Sequence, residues 1–306
     1  MKRHEWWRQQ YNADPYMDGL PADFIKTRTD DVTTNNWYIS DDLKLSIVSP
    51  RVDDFWMVSW THLLEEWGSR GGIPGGLDVS KQPKLDWPGL ASAVGPFQAS
   101  RLAHPEVLAK YSRRSFLQQA LAGGTFKISP ASTYDDPSLN VAIRDNELEL
   151  EVYRRSRLYK LLFDTRGFVL SPMGPKNGYR IEVLKSPTNY YVYCMSMERS
   201  LRLFGDFDAD AAMIVHNPVK FVRRLGEGVR RILGAGWSWY ATPIRYVDPL
   251  RAPVGKLDIV ESKHFLFTYQ REYRIVWVPA TPVHTLNAFF VTIDPVADCA
   301  DLIELS

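Results

Sequence analysis

A chain of 306 residues with 45% hydrophobic and 24% charged side chains has the composition of a globular protein with a substantial core. No apolar run approaches the roughly 20 residues that cross a bilayer. The start MKRHEWWRQQ lacks the apolar stretch of a secretion signal, and Cys194 and Cys299 are the only cysteines. No membrane partner, disulfide framework or Cys-rich zinc site is therefore expected, and a reducing cytoplasm fits. The net charge of +1 is uneven: residues 1–100 hold 10 Lys/Arg against 14 Asp/Glu (−4), leaving 37 − 10 = 27 against 36 − 14 = 22 (+5) in the rest. A mildly basic C-terminal part of this kind suits a polyanionic partner.

The first hundred residues are rich in tryptophan (Trp6, Trp7, Trp37, Trp56, Trp60, Trp67, Trp87), and core packing is the expected use of these side chains. Residues 69–100, broken by Gly and Pro, read as a loop-rich connector. We therefore divide the chain into an accessory region, 1–100, and a main domain, 101–306. A short strand is expected over 104–111, then a helix over 113–122 stopped by Gly123-Gly124, and a strand over 125–128. Leu148, Val152, Tyr159 and Leu162 give residues 145–163 the spacing of an amphipathic helix. Strands follow near 179–184, 190–195 and 211–215. Asn217-Pro218 then opens a basic helix running to about Leu233, with Phe221, Val222, Leu225, Val229 and Ile232 inward and Arg223, Arg224, Arg230 and Arg231 outward. Further strands are expected near 243–247, 272–278 and 288–293. Many strands among few helices, without βαβ alternation, give an α+β class.

Several chemistries find no support. No phosphate-binding glycine loop, G-x-S-x-G elbow or pair of histidines one helical turn apart occurs, so no metal is expected. The informative segment is Gln270-Arg271-Glu272-Tyr273-Arg274, which leads into a strand of Ile, Val and Trp. Residues two apart on a strand share a face, so Gln270 and Glu272 would present an amide beside a carboxylate. A solvated ion pair between Glu272 and Arg274 is the bland alternative. Trp237 and Trp239, two apart beside the arginines of the basic helix, could stack on a base or pack into the core.

Upstream motifs stand in a fixed order: Ala109-Lys110-Tyr111-Ser112-Arg113, Phe126-Lys127-Ile128-Ser129-Pro130 running to Tyr134-Asp135-Asp136-Pro137, Tyr193-Cys194-Met195-Ser196, and Gln270-x-Glu272-Tyr273-Arg274. This series resembles a bacterial domain family of unknown function with the signature YKYR, SP..FNDP, CFS and ExEYR, over roughly residues 105–295. Tyr134, Asp135, Met195 and Gln270 depart from it. The layout also resembles the ADP-ribosyltransferase superfamily of the [QE]-x-E type. That resemblance implies a split antiparallel β-sheet and NAD as substrate. It assigns Glu272 to the oxocarbenium-like transition state, Gln270 to the acceptor, and Ser196 to supporting Glu272 or the ribose. It places Tyr111 or Arg113 against the nicotinamide or pyrophosphate; Lys110, Tyr193 and Ser129 are further candidates around the cofactor, and Arg274, Trp237 and Trp239 are the candidate substrate-binding residues. It further implies a cytoplasmic toxin or phage-defence effector, held by an antitoxin and modifying RNA or another nucleic acid, or a protein. A binding module on a degenerate transferase fold and an NAD glycohydrolase are the other readings.

Overall fold

The computed structural model describes residues 2–46, 54–77, 82–155, 178–253, 255 and 257–306. The N-terminal part is helical: α1 (Arg3–Ala13), α2 (Ala22–Asn36), α3 (Asp54–Ser69) and α4 (Leu90–Ala103), with a small hairpin of β1 (Tyr38–Ile39) and β2 (Leu45–Ser46) between α2 and α3. Tyr11, Met17, Ile25, Val32, Leu63 and Trp67 close a core that also takes in Leu250 and Phe265 from the far end of the chain. At its centre Arg28 of α2 donates to both oxygens of Asp248 at 2.7 and 2.5 Å, with both groups buried. Trp7, Trp56 and Trp67 are buried here, as expected of packing residues, whereas Trp6 is half exposed. The segment read as a loop-rich connector contains α4, which runs across residue 100. Its Leu90, Ala93 and Phe97 pack with Val107, Ala109 and Tyr111, so its apolar face outweighed the Gly and Pro punctuation.

Then come β3 (Leu108–Ser112), α5 (Arg114–Gly123), β4 (Thr125–Pro130), β5 (Glu149–Arg155), β6 (Tyr179–Lys185), β7 (Tyr191–Ser196), α6 (Arg202–Asp206), β8 (Ala211–Val215) and α7 (Pro218–Leu233). The chain ends with β9 (Trp237–Pro243), β10 (Arg245–Val247), β11 (Ser262–His264), β12 (Glu272–Pro279), β13 (Phe289–Thr292) and β14 (Ala300–Glu304). The class is α+β with mostly antiparallel pairing. Among the described residues no helix is long and apolar enough to cross a membrane. The helix expected over 145–163 is instead a strand at Glu149–Arg155, paired with β6; residues 156–163 lie outside the described residues. Leu150 and Val152 are buried, continuing from Leu148 with a period of two, and this alternation beats the sparser helical spacing. In α7, Asn217 caps the helix by accepting from the Lys220 amide, and Phe221, Leu225 and Val229 are buried. Ile232, expected inward, is exposed on the last turn.

The large sheet runs β13-β4-β7-β3-β8-β14, with β12 and then β9 on the other side of β7. β12 pairs with all of β7, Glu272 opposite Ser196 through Trp277 opposite Tyr191. The other edge of β7 is divided. Ser129 and Pro130 of β4 pair with Val192 and Tyr191, while Ala109 of β3 pairs with Ser196. Between these points β3 and β4 part, and the Lys110 ammonium reaches across to donate to the Cys194 carbonyl at 2.8 Å. A side-chain donor stands there in place of a ladder bond.

One turn is sensitive to substitution. Gly124 ends α5 with φ of 63°, and a Cβ at this position would run into the Ile293 carbonyl. Gly124→Ala is expected to cost more than about 1 kcal/mol, because both the left-handed backbone and the close approach exclude a side chain. Chemical denaturation of the two proteins measures it.

Candidate functional site

A cavity of about 270 Å³ lies where β3 leaves β7. Six of the residues singled out from sequence line it together: Lys110, Tyr111, Arg113, Ser196, Gln270 and Glu272. They arrive from β3, β7, β12 and the short 3₁₀ helix Phe265–Gln270 that precedes β12. Ser196 and Glu272 are cross-strand partners and so share a face of the sheet. Gln270 reaches the cavity differently from expectation. It closes the 3₁₀ helix, and Arg271 turns the chain through a left-handed conformation (φ 47°) before β12 starts. Its amide donates to the Ala142 carbonyl at 2.6 Å. The Tyr111 hydroxyl accepts from the Ser200 amide at 2.7 Å, so the tyrosine offers its ring to the cavity, while Arg113 is exposed at the mouth.

The floor is a ring of charges. Glu272 accepts from Lys263 Nζ at 2.8 Å and from Arg274 Nε; Glu147 accepts from Lys263 Nζ at 3.2 Å and pairs with the other end of the Arg274 guanidinium. Each cation thus touches both carboxylates, and all four side chains are buried. Arg274 also donates to the Val260 carbonyl at 3.0 Å, and Tyr246 Oη accepts from the Glu272 amide at 2.8 Å. Burial alone would raise the Glu272 carboxyl, but Arg274 and Lys263 overcome it and hold the group well below the usual carboxylate range. Glu272 is therefore an anion facing a half-open cavity, able to accept from a ligand hydroxyl with its remaining lone pairs. Burial lowers Lys110, whose ammonium lies 4.8 Å from the Tyr193 ring. Burial also pushes the Cys194 thiol well above its ordinary value, which makes it a poor nucleophile.

Asp145 stands 3.6 Å from Lys263 at the margin of the ring. Burial pushes its carboxyl up to about 7, with Lys263 pulling down and Glu147 pushing up. The folded protein then holds a proton that the unfolded chain releases near 3.8, so this group's contribution to stability falls as pH rises from about 4 to about 7. Asp145→Asn is expected to gain melting temperature relative to the native protein through that window. A gap between the two curves that does not widen from pH 4 to pH 7 contradicts it.

The remaining sequence-derived residues lie elsewhere. Arg274 is fully buried in the ring and reaches no substrate-facing surface; nor is it the solvated half of a surface pair. Tyr193 stands opposite Ile275 on the other face of the sheet, packed against Phe126 and Phe221. Ser129 pairs with Val192, four residues along β7 from Ser196 and about 13 Å away. Trp237 pairs with Pro279 and Trp239 with Trp277, on the face opposite Glu272, and Trp237 is about 23 Å along β12 from it. Trp239 packs on Gly226 of α7 and Trp237 on Tyr191, so both serve the packing of the sheet on that helix.

Sequence reasoning missed Glu147 and Lys263. Glu147 sits in the loop 136–148, which folds over the cavity and is tied by Asn140 to the Asp206 carbonyl (2.6 Å) and to Asp208 (3.0 Å). Lys263 follows Glu261-Ser262 in a short strand that no periodicity marks. Among the described residues no group of three or more His, Cys, Asp or Glu is placed to hold a metal ion. No family model matches the chain, and comparison with curated proteins and with solved structures found no similar one.

Proposed function

We propose that the cavity at the divided edge of β7 binds the nicotinamide-ribose end of NAD and transfers its ADP-ribosyl group to an acceptor. The observation that carries the reading is the convergence of Lys110, Tyr111, Arg113, Ser196, Gln270 and Glu272 from four separate elements on one cavity. An ionised Glu272 accepts a hydrogen bond from a ribose hydroxyl and offsets the positive charge that grows on the sugar as nicotinamide leaves. Ser196, directly across the strand pair, supports the same ribose. The Tyr111 ring offers a stacking wall, and Lys110 with Arg113 provides positive charge for the pyrophosphate. At about 270 Å³ the cavity is at the small end of ligand sites, so it takes the reacting end while the adenylate lies at its mouth. The parting of β3 from β4 is compatible with the split sheet that such transferases use.

RNA is the acceptor we favour, because the part after residue 100 carries a net +5 and α7 presents Arg223, Arg230 and Arg231 to solvent. A toxin or defence effector in the cytoplasm, restrained by an antitoxin, is the corresponding biological role. A second reading has one observation behind it: both oxygens of Glu272 are already engaged in the charge ring, as in a binding module that holds a nucleotide without cleaving it. The test is incubation with NAD labelled in the adenylate, with total RNA or total protein present. Label in either polymer supports transfer and names the acceptor. Free ADP-ribose alone means that water is the acceptor, as in a glycohydrolase, and unconsumed NAD returns the site to the binding reading.

A further inference from the structure

Two tyrosines line the cavity at the divided edge of β7, and they differ in what their hydroxyls meet. The Tyr111 hydroxyl accepts from the Ser200 amide and donates to the Glu198 carbonyl at 3.3 Å. The Tyr134 hydroxyl meets no hydrogen-bond partner among the described residues. Tyr134 is nonetheless held in place. It sits on the short 3₁₀ helix Ala131–Asp135, which β4 carries over β7 through the pairing of Ser129 with Val192 and Pro130 with Tyr191. The Ala131 amide donates to the Tyr190 carbonyl at 2.8 Å, and the Tyr134 carbonyl accepts from the Asp145 amide at 2.9 Å. Its ring packs with Tyr190, Val192, Val260 and Val276. A phenylalanine ring would pack as well, so these contacts leave the hydroxyl unexplained. A half-buried hydroxyl without a partner costs free energy that a ligand acceptor would restore.

The surroundings of that hydroxyl select the ligand atom. Burial raises Tyr134 well above its ordinary value, and Cys194, Glu147 and Glu272 add to the rise while Lys263 opposes it. The phenol therefore keeps its proton and donates. Glu272, lining the same cavity as an anion held by Lys263 and Arg274, can only accept. An atom that serves both must accept on one side and donate on the other. A carbonyl or phosphate oxygen only accepts, and an ammonium only donates. A sugar hydroxyl does both with a single oxygen.

We infer that Tyr134 is a further substrate-binding residue, its hydroxyl donating to the 2′-hydroxyl of the nicotinamide ribose while Glu272 accepts that hydroxyl's proton. The inference rests on the reading of this cavity as the NAD site. The 2′-hydroxyl stands beside the carbon on which charge grows. A donor on its oxygen withdraws electron density that Glu272 pushes toward the sugar. Tyr134 thus holds the substrate equally before and during the reaction, and the transition state is left to Glu272.

Tyr134→Phe removes the hydroxyl alone, and its melting temperature checks that the fold is kept. The native protein and the variant are compared by calorimetric titration with carbocyclic NAD and by steady-state nicotinamide release from NAD. In the carbocyclic analogue a methylene replaces the ring oxygen of the nicotinamide ribose, so the bond to nicotinamide stays intact. The variant is expected to bind the analogue about five- to tenfold more weakly. Its KM for NAD should rise by a similar factor, with kcat within about twofold. Equal affinity for the analogue in both proteins, or a fall confined to kcat, would overturn the role of Tyr134 and leave the site's reading standing. Weaker binding in the variant without nicotinamide release by the native protein supports Tyr134 and removes the transfer reaction. Neither binding nor release by the native protein would overturn both.

Discussion

Arg274→Met is expected to destabilise the fold by about 3–5 kcal/mol, the range for removing one partner from a buried ion pair. Methionine fills much of the space, so lost packing is a minor part of the effect. The main cost is that Glu147 and Glu272 stay buried with only Lys263 between them. The Val260 carbonyl also loses its donor. Because Glu147 belongs to the loop over the cavity and Glu272 to the sheet, the ring ties that loop down, and its 136–148 amides should exchange faster in the variant. Urea titration with circular dichroism reads the stability. A loss below about 1 kcal/mol would mean that the ring is not formed in solution.

Glu272→Gln is expected to lower nicotinamide release from NAD by about 10²-fold or more, the scale on which a group that stabilises transition-state charge acts. The change keeps the shape of the side chain and removes its charge. Lys263 and Arg274 keep Glu147 as a partner, so the variant should fold with reduced stability, and circular dichroism checks that before activity is compared. Ser196→Ala makes a milder companion, since Ser196 sits across from Glu272 but already accepts from the Glu198 amide at 3.1 Å. An equal fall in both variants would mean that the cavity was disturbed as a whole, with no special part for the carboxylate.

The sheet was largely legible in the sequence because its strands announce themselves. The run Ile275-Val276-Trp277-Val278 and the apolar Ala211–Val215 have little choice but a buried strand, and both are found there. The convergence of Lys110, Ser196 and Glu272 was legible only through the order of motifs, since no local pattern says that β3 and β12 flank the same strand. Pairing is a property of the whole chain, and the same limit hid the charge ring. Lys263 and Glu147 are 116 residues apart and meet only when the loop 136–148 closes. Gln270 misled for a local reason: a period of two from Glu272 assumes continuous strand, and the left-handed Arg271 breaks it. Trp237 and Trp239 do share a face, as the spacing required, but it is the face that carries α7. The helix expected at 145–163 shows the remaining weakness, a spacing of few apolar residues that fits two periods at once.

We propose that an ionised Glu272 at the divided edge of β7 acts on NAD. The most direct measurement is nicotinamide release by the purified native protein given NAD, with and without total RNA or protein, beside a folded Glu272→Gln variant. Release by the native protein that falls by about 10²-fold or more in the variant is the expected result. Release unchanged in the variant, or no release under any of these conditions, would contradict it.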